Sequence, residues 1–278
     1  MDLNWFQSFL YGFLSGLTNI LPVSAQAHKV LLLKFYGTKG NTALMDFLIH
    51  AGIFAALYFS CQTQVIRMSR ARALSRIPKR KRKRPLDTRS LMDLSLLKTM
   101  LVPVILGLLI YQQAATLNSN LMLVALFLFL NGIILYVPQF LPCGNRDSRT
   151  MSRVEGLLMG LGGAVSILPG FSAMGVCTSI GSVCGVDRSY GLSMALLMEL
   201  FLTLGFLVHG FLAITGSGLG TLSFALVIRY LFTALCAFGG TMLGIKLMRH
   251  LVQEQGYSLF GLYCFGLALF TFILNLMA

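Results

Sequence analysis

The chain has 278 residues, 56% of them hydrophobic and only 11% charged, with a mean hydropathy of +0.78. A soluble domain carries about 25% charged residues, so this composition excludes most soluble folds and points to a bilayer. The net charge of +13, from 22 Lys+Arg against 9 Asp+Glu, would alone suggest nucleic acid or an acidic surface as partner.

The first apolar stretch, about 5–36, is interrupted at Pro22, with Ser, Thr and Asn nearby. Lys29 is the first basic residue, so a cleavable signal peptide with a basic start is not expected. A span at about 44–66 follows. Next comes the basic window: 12 of the 22 Lys and Arg lie between Arg67 and Lys98, against only Asp87 and Asp93. Its densest part, Arg76 to Pro85, contains no aromatic residue. The positive-inside rule makes residues 67–90 a short cytoplasmic loop, which also attracts anionic phospholipids. Without interleaved aromatics or a recognition element, no nucleic-acid partner is expected.

Spans at about 91–112 and 119–141 complete the first half. The second begins with another broken stretch, 154–187, interrupted at Pro169-Gly170, and continues with spans at 190–214, 222–246 and 257–277. Each span has the ~20 residues needed to cross. Each broken stretch is too interrupted for one span and too poor in apolar residues for two. A helix that enters, breaks and returns fits both, and such backbone is tolerated at membrane depth when buried in protein or lining a wet cavity.

The uncharged connections at 113–118 and 215–221 belong outside, and the loop at 142–153 (Arg146, Arg149 and Arg153 against Asp147) belongs in the cytoplasm with Lys246, Arg249 and His250. Both termini then lie outside, and the two broken stretches dip in from opposite faces. Gly16-Leu-Thr-Asn-Ile-Leu-Pro22 aligns with Gly163-Ala-Val-Ser-Ile-Leu-Pro169, each copy followed by three spans. An odd number of spans inverts the second copy. The expected fold class is an all-α integral membrane protein: six transmembrane helices plus two re-entrant helix pairs in an inverted-topology repeat, divided as residues 1–141 and 142–278. The six cysteines form no CxxC or Cys/His cluster, so no zinc site or disulfide framework is indicated.

Small polar residues and a new helix follow each break: Pro22-Val-Ser24-Ala-Gln-Ala-His28-Lys29 and Pro169-Gly170-Phe-Ser172-Ala-Met-Gly175. Two facing helix starts capped by serine can hold a phosphate, and the alternative is that Ser24 and Ser172 only cap helices. His28 is either an acid, base or phosphate donor, or a hydrogen-bonded packing residue. Asp46 and His50, at i, i+4 spacing, either pair with each other structurally or serve a site. Glu199 stands in an apolar run without a local partner and is expected to face the protein interior, protonated or paired with a base. Arg229, near the start of its span, is expected to snorkel as an anchor.

These segments resemble the bacitracin-resistance undecaprenyl-pyrophosphate phosphatases (BacA/UppP) of bacterial membranes. Residues Ser15 to His28 are similar to the first motif, E-G-x-T-E-F-L-P-[IV]-S-S-[ST]-G-H. Residues Pro169 to Thr178 are similar to the second, P-G-x-S-R-S-G followed by Thr. Asp46 to Gly52 resembles F-E-x-x-x-Q-x-G, and Arg188 with Ser193 resembles R-x-x-A-x-x-S-F. The likeness covers nearly the whole chain. It implies a multi-pass protein of the bacterial inner membrane that removes the terminal phosphate of the C55 isoprenoid diphosphate recycled in cell-wall synthesis. Its partner is then a polyprenyl (di)phosphate lipid, with a divalent cation (Mg or Ca) as cofactor if the chain is catalytic. The implied catalytic candidates are Ser24, His28 and Ser172. The implied phosphate-binding positions are Ser24, Lys29, Gly170, Ser172, Gly175, Thr178 and Arg188, with no metal ligands assigned. The chain departs from the motifs at Ser15 and Asn19 (both Glu in the family), at Ala25 and Met174 (both Ser), and at Ala173 (Arg). Lys29 or Arg188 are candidates to replace the missing cation. Two functions follow: a divergent diphosphatase, or a non-hydrolytic flippase for the same lipid. An unrelated solute transporter remains a third.

Overall fold

The computed structural model describes residues 3–37, 42–217, 223–252 and 257–277. Among them only helices form, apart from two isolated bridges. The first half comprises α1 (Trp5–Ile20), α2 (Ala25–Phe35), α3 (Ala43–Ser75), α4 (Thr88–Leu109), the short α5 (Tyr111–Ala115) and α6 (Leu121–Tyr136). The second comprises α7 (Arg153–Val165), α8 (Ala173–Val183), α9 (Arg188–Ser217), α10 (Phe224–Leu251) and α11 (Tyr257–Leu276). Six of these helices are long and apolar enough to cross a membrane: α3, α4, α6 with its 3₁₀ extension to Phe140, α9, α10 and α11. The chain is a multi-pass, all-α membrane protein. Leu106, Phe211, Leu235 and Phe270, exposed on these spans, are where lipid tails would lie.

The helix starts follow from capping chemistry. Asn4 opens α1 and Ser152 opens α7, each in a capping box completed by Gln7 and Glu155 respectively. Arg146 also clasps Glu155 and, with the Ser152 backbone, holds its carboxyl below the usual range. The four helices flanking the breaks have 11 to 16 residues. At ~1.5 Å per residue they are about 16–24 Å long, short of the ~30 Å hydrocarbon core.

Three sequence expectations need correction. Residues 67–75 are not loop: α3 continues to Ser75, because charge marks solvent without breaking a helix and the first breaker is Pro78. Residues 113–118 form part of α5 and a 3₁₀ turn, not an open connection. Arg229 does not simply snorkel: it donates to the Leu3 carbonyl and lies over the Trp5 ring, tying α10 to the chain start. Of the connection at 215–221, residues 218–221 lie outside the described residues.

α1 packs on α10 and α7 on α4; α3 packs on α10 and α9 on α4; α3 meets α9 and α6 meets α11. If α1, α2, α3, α4 and α6 are exchanged with α7, α8, α9, α10 and α11, these contacts map onto one another or onto themselves. A two-fold relation between residues 1–141 and 142–278 would produce that pattern. The α1–α10 contact is unusually close. A Cβ at Gly16 would collide with the Ala237 carbonyl, and one at Gly240 with the Phe13 carbonyl. Small residues that let backbones touch are a common means of joining helices in lipid.

Candidate active site

The site is organised by the two breaks. At the first, Ser24 caps α2: its Oγ accepts from the Ala27 N–H at 3.3 Å, and also from the Gly170 N–H of the second break at 3.1 Å. Ser24 has φ of +65°, a conformation that costs a non-glycine residue about 1–3 kcal/mol and persists only when its surroundings hold it. At the second break, Ser172 caps α8 by accepting from the Gly175 N–H at 3.2 Å and donates to the Leu21 carbonyl at 3.4 Å. Asn131 of α6, fully buried, donates to the Pro22 carbonyl at 3.2 Å and accepts from the Ser172 N–H at 3.0 Å. Each break is thus fastened to the other by buried hydrogen bonds, and any such group left unpaired would cost about 1–3 kcal/mol. Gly170 allows the approach, since its φ is +128° and a Cβ would come within 2.7 Å of the Leu128 nitrogen.

Beside the fastened breaks lies a cavity. Ser15 and Asn19 of α1, Gln26 and Lys29 of α2, and Ser172 and Ala173 at the start of α8 line it, together with Asp46 and His50 of α3 and Glu199 of α9. Lys29 Nζ is 2.7 Å from Asp46 Oδ2, which also accepts from Thr42 Oγ1 at 2.7 Å; Tyr11 donates to Oδ1 at 3.3 Å. The Asp46 carboxylate thus accepts from three side chains, two of them at Oδ2. It does not pair with the His50 side chain: His50 Nδ1 lies 2.7 Å from the Asp46 backbone carbonyl, the group that i, i+4 spacing brings closest. Glu199, 2% exposed, does have a partner, 180 residues away in sequence: Asn19 Nδ2 donates to its Oε1 at 2.8 Å. Glu199 Oε2 is buried and has no hydrogen-bond partner.

The sequence-predicted residues divide into three groups. Lys29 and Ser172 are on the cavity wall. Ser24, Gly170 and Gly175 are buried within the fastened breaks. Thr178 and Arg188 line a separate crevice with Ser182 and Tyr257, where Thr178 donates to the Met174 carbonyl at 2.7 Å. His28 faces away from the cavity: Nδ1 is 2.8 Å from the Ser24 carbonyl, Nε2 is 2.7 Å from the Tyr263 hydroxyl, and its ring stacks on Tyr263 of α11. Of the substituted motif positions, Ser15, Asn19, Ala25 and Ala173 line the cavity, whereas Met174 is in the core.

Sequence reasoning missed Asn131, Gln26 and Tyr11. Asn131 had a usable signal, an amide in the middle of an otherwise apolar span. Tyr11 had none, whereas Gln26 stands among the polar residues after the first break, at the [ST] position of the first motif.

The sequence model of one family, described as "Bacitracin resistance protein BacA", matches residues 8–270. The chain belongs to the bacitracin resistance protein BacA family. Among its relatives, an undecaprenyl-diphosphatase of Methanobrevibacter smithii is 29% identical over 96% of both chains. One from Desulforapulum autotrophicum is 25% identical over 98% of this chain and 99% of its own. An undecaprenyl-diphosphatase 1 of Shouchella clausii is 23% identical over 96% and 95%. Among the positions at which this member departs from the BacA motifs quoted above, Ser15, Asn19, Ala25, Gln26 and Ala173 are on the cavity wall, and Ile20, Ala27 and Met174 are in the core.

Proposed function

We propose that the cavity binds the diphosphate end of a polyprenyl carrier lipid and that the chain removes the terminal phosphate. The observation that carries this reading is the wall itself: Ser15, Asn19 and Ala25 of the first motif and Ser172 and Ala173 of the second face one space. The names of the relatives point the same way.

Charge is supplied from three places. The first N–H groups of a helix lack intrahelical partners and carry partial positive charge, and the starts of both α2 and α8 border the cavity. Lys29 adds a full charge, part of it offset by Asp46. Ser24 is buried with its oxygen accepting two N–H groups, so its role in this reading is to fasten the breaks, and the nucleophile is water. The water oxygen bonds to the terminal phosphorus as the bond from phosphorus to the bridging oxygen breaks. The bond's electron pair leaves with the polyprenyl monophosphate, and the water proton passes to a cavity base.

Mg²⁺ is usually held by one or two carboxylates together with substrate phosphates, and the carboxylates on this wall are Asp46 and Glu199. Among the described residues no group of three or more His, Cys, Asp or Glu is placed to hold a metal ion, and the Asp46 carboxylate already accepts from three side chains. No step here is routed through a metal.

A second reading, a flippase that moves the lipid without hydrolysis, is favoured by one observation: Ala173 stands on the wall where the family motif has Arg. Release of inorganic phosphate from C15 or C55 diphosphate by the purified chain separates the two. Turnover above an empty-membrane control, with added Mg²⁺ and without, is expected; none in either condition would favour the flippase.

The membrane orientation in this reading has residues 67–90, of which 67–75 end α3, and residues 142–153 in the cytoplasm and both termini outside. Arg72, Arg76 and Lys98 line one groove with Ser69 and Leu94 between α3 and α4, a fit for anionic phospholipid headgroups at that face. In a Cys-free background, a cysteine at position 80 should resist impermeant maleimide added to intact cells. Labelling from outside would reverse the orientation.

A further inference from the structure

Among the described residues, Glu199 is the one polar side chain lining the cavity that has a buried oxygen without a hydrogen-bond partner. Burying a carboxylate in a membrane protein is costly, and such groups are functional candidates by default. Here Oε1 accepts from Asn19 at 2.8 Å, which fixes the orientation of the carboxylate, and Oε2 is left over. Glu199 is 2% exposed and lines the cavity with Ser15 and Asn19. Those two are the positions where the first motif has glutamates and this chain has none. The cavity's other carboxylate, Asp46, is occupied by Lys29, Thr42 and Tyr11. His50 is held by the Asp46 carbonyl through Nδ1.

We propose that Glu199 is the catalytic base of this protein: α9 supplies the carboxylate that α1 has lost, and Asn19 has become the residue that aims it. The inference rests on the hydrolytic reading above. Glu199 Oε2 takes the proton of the water whose oxygen attacks the terminal phosphorus. The phosphorus to bridging-oxygen bond breaks as the new bond forms, and the carboxylic acid later returns its proton to solvent or to the released phosphate. Asn19 cannot perform this step, because an amide is not a base at any ordinary pH. As the donor to Oε1, it leaves Oε2 as the oxygen without a hydrogen-bond partner.

The geometry suggests an isosteric test. Glu199→Gln keeps an oxygen that can accept from Asn19, so packing and the hydrogen bond are retained while the base is lost. Phosphate release from C15 diphosphate should fall at least 100-fold, the scale of general-base catalysis. The melting temperature and the KM for the lipid should stay close to wild type. The acid limb of the wild-type pH–rate profile should disappear in the variant. Moving the carboxylate back, Asn19→Glu in the Glu199→Gln background, should recover at least tenfold of the lost rate. Wild-type turnover that Glu199→Gln leaves within threefold would overturn this inference and leave the hydrolytic reading standing. Absence of turnover in the wild type would remove that reading, and this inference with it. A Glu199→Gln protein that melts well below wild type would assign Glu199 to structure, unless the relocated carboxylate restores the rate.

Discussion

Replacing Lys29 with Met is expected to destabilise the protein by about 2 kcal/mol, between an exposed and a fully buried ion pair, and to reduce phosphate release by at least 100-fold. The pair is partly buried, with side-chain exposures of 27% for Lys29 and 18% for Asp46, so water compensates only some of the loss. Asp46 would keep the Thr42 and Tyr11 hydroxyls but lose the Lys29 ammonium, on a wall already bordered by Glu199. The activity term has a different origin. Phosphoryl transfer depends on neutralising charge on the transferred group, and where the family motif has Arg this chain has Ala173. Lys29 is then the full positive charge on the wall. The two effects separate in the double variant Lys29→Met/Asp46→Asn, which removes both charges. Thermal melting should return to within ~1 kcal/mol of wild type, while turnover should stay low. A double variant that regained activity along with stability would show that Lys29 only neutralises Asp46.

The second large effect is expected far from the chemistry. Gly16→Leu should lower the melting temperature in detergent by at least about 10 °C, or prevent recovery of monodisperse protein. Overpacking a tight interface usually costs about 1–3 kcal/mol. Here the added atoms meet backbone, the Ala237 carbonyl, and the Thr241 hydroxyl at 2.8 Å, where no rotamer change can make room. Thr241 also donates to the Gly16 carbonyl at 3.3 Å, so separating α1 from α10 would break that bond too. Because α1 carries Ser15 and Asn19 to the cavity, any protein that did fold should have lower turnover. A melting temperature within 2 °C of wild type would mean that the α1–α10 contact is looser than described.

Much of this arrangement was legible in the sequence because it depends on local rules. Six runs of about 20 apolar residues became α3, α4, α6, α9, α10 and α11. The interruptions at Pro22 and Pro169-Gly170 became the breaks, and Ser24 and Ser172 became N-caps with the expected N–H partners. Long-range side-chain pairing was not legible. Nothing in the sequence around Glu199 indicates that Asn19, 180 residues away, is its partner, or that Lys29 rather than His50 takes the Asp46 carboxylate. Direction was also hidden. Ser24 and His28 are neighbours in the motif, yet one points into the fastened breaks and the other toward α11. The α3 boundary was missed for a simpler reason, since arginines after residue 66 end the apolar run without ending the helix.

In the proposed reading the diphosphate end sits in the cavity on the Gln26 side of α2 and not on the His28 side. In a Cys-free background, single cysteines replacing Gln26, on the cavity wall, and His28, against Tyr263, can be alkylated with and without saturating C15 diphosphate. The lipid should protect the cysteine at position 26 by at least tenfold and leave the one at position 28 unchanged. Protection at position 28 alone, or at neither position in a protein that turns the lipid over, would contradict that reading.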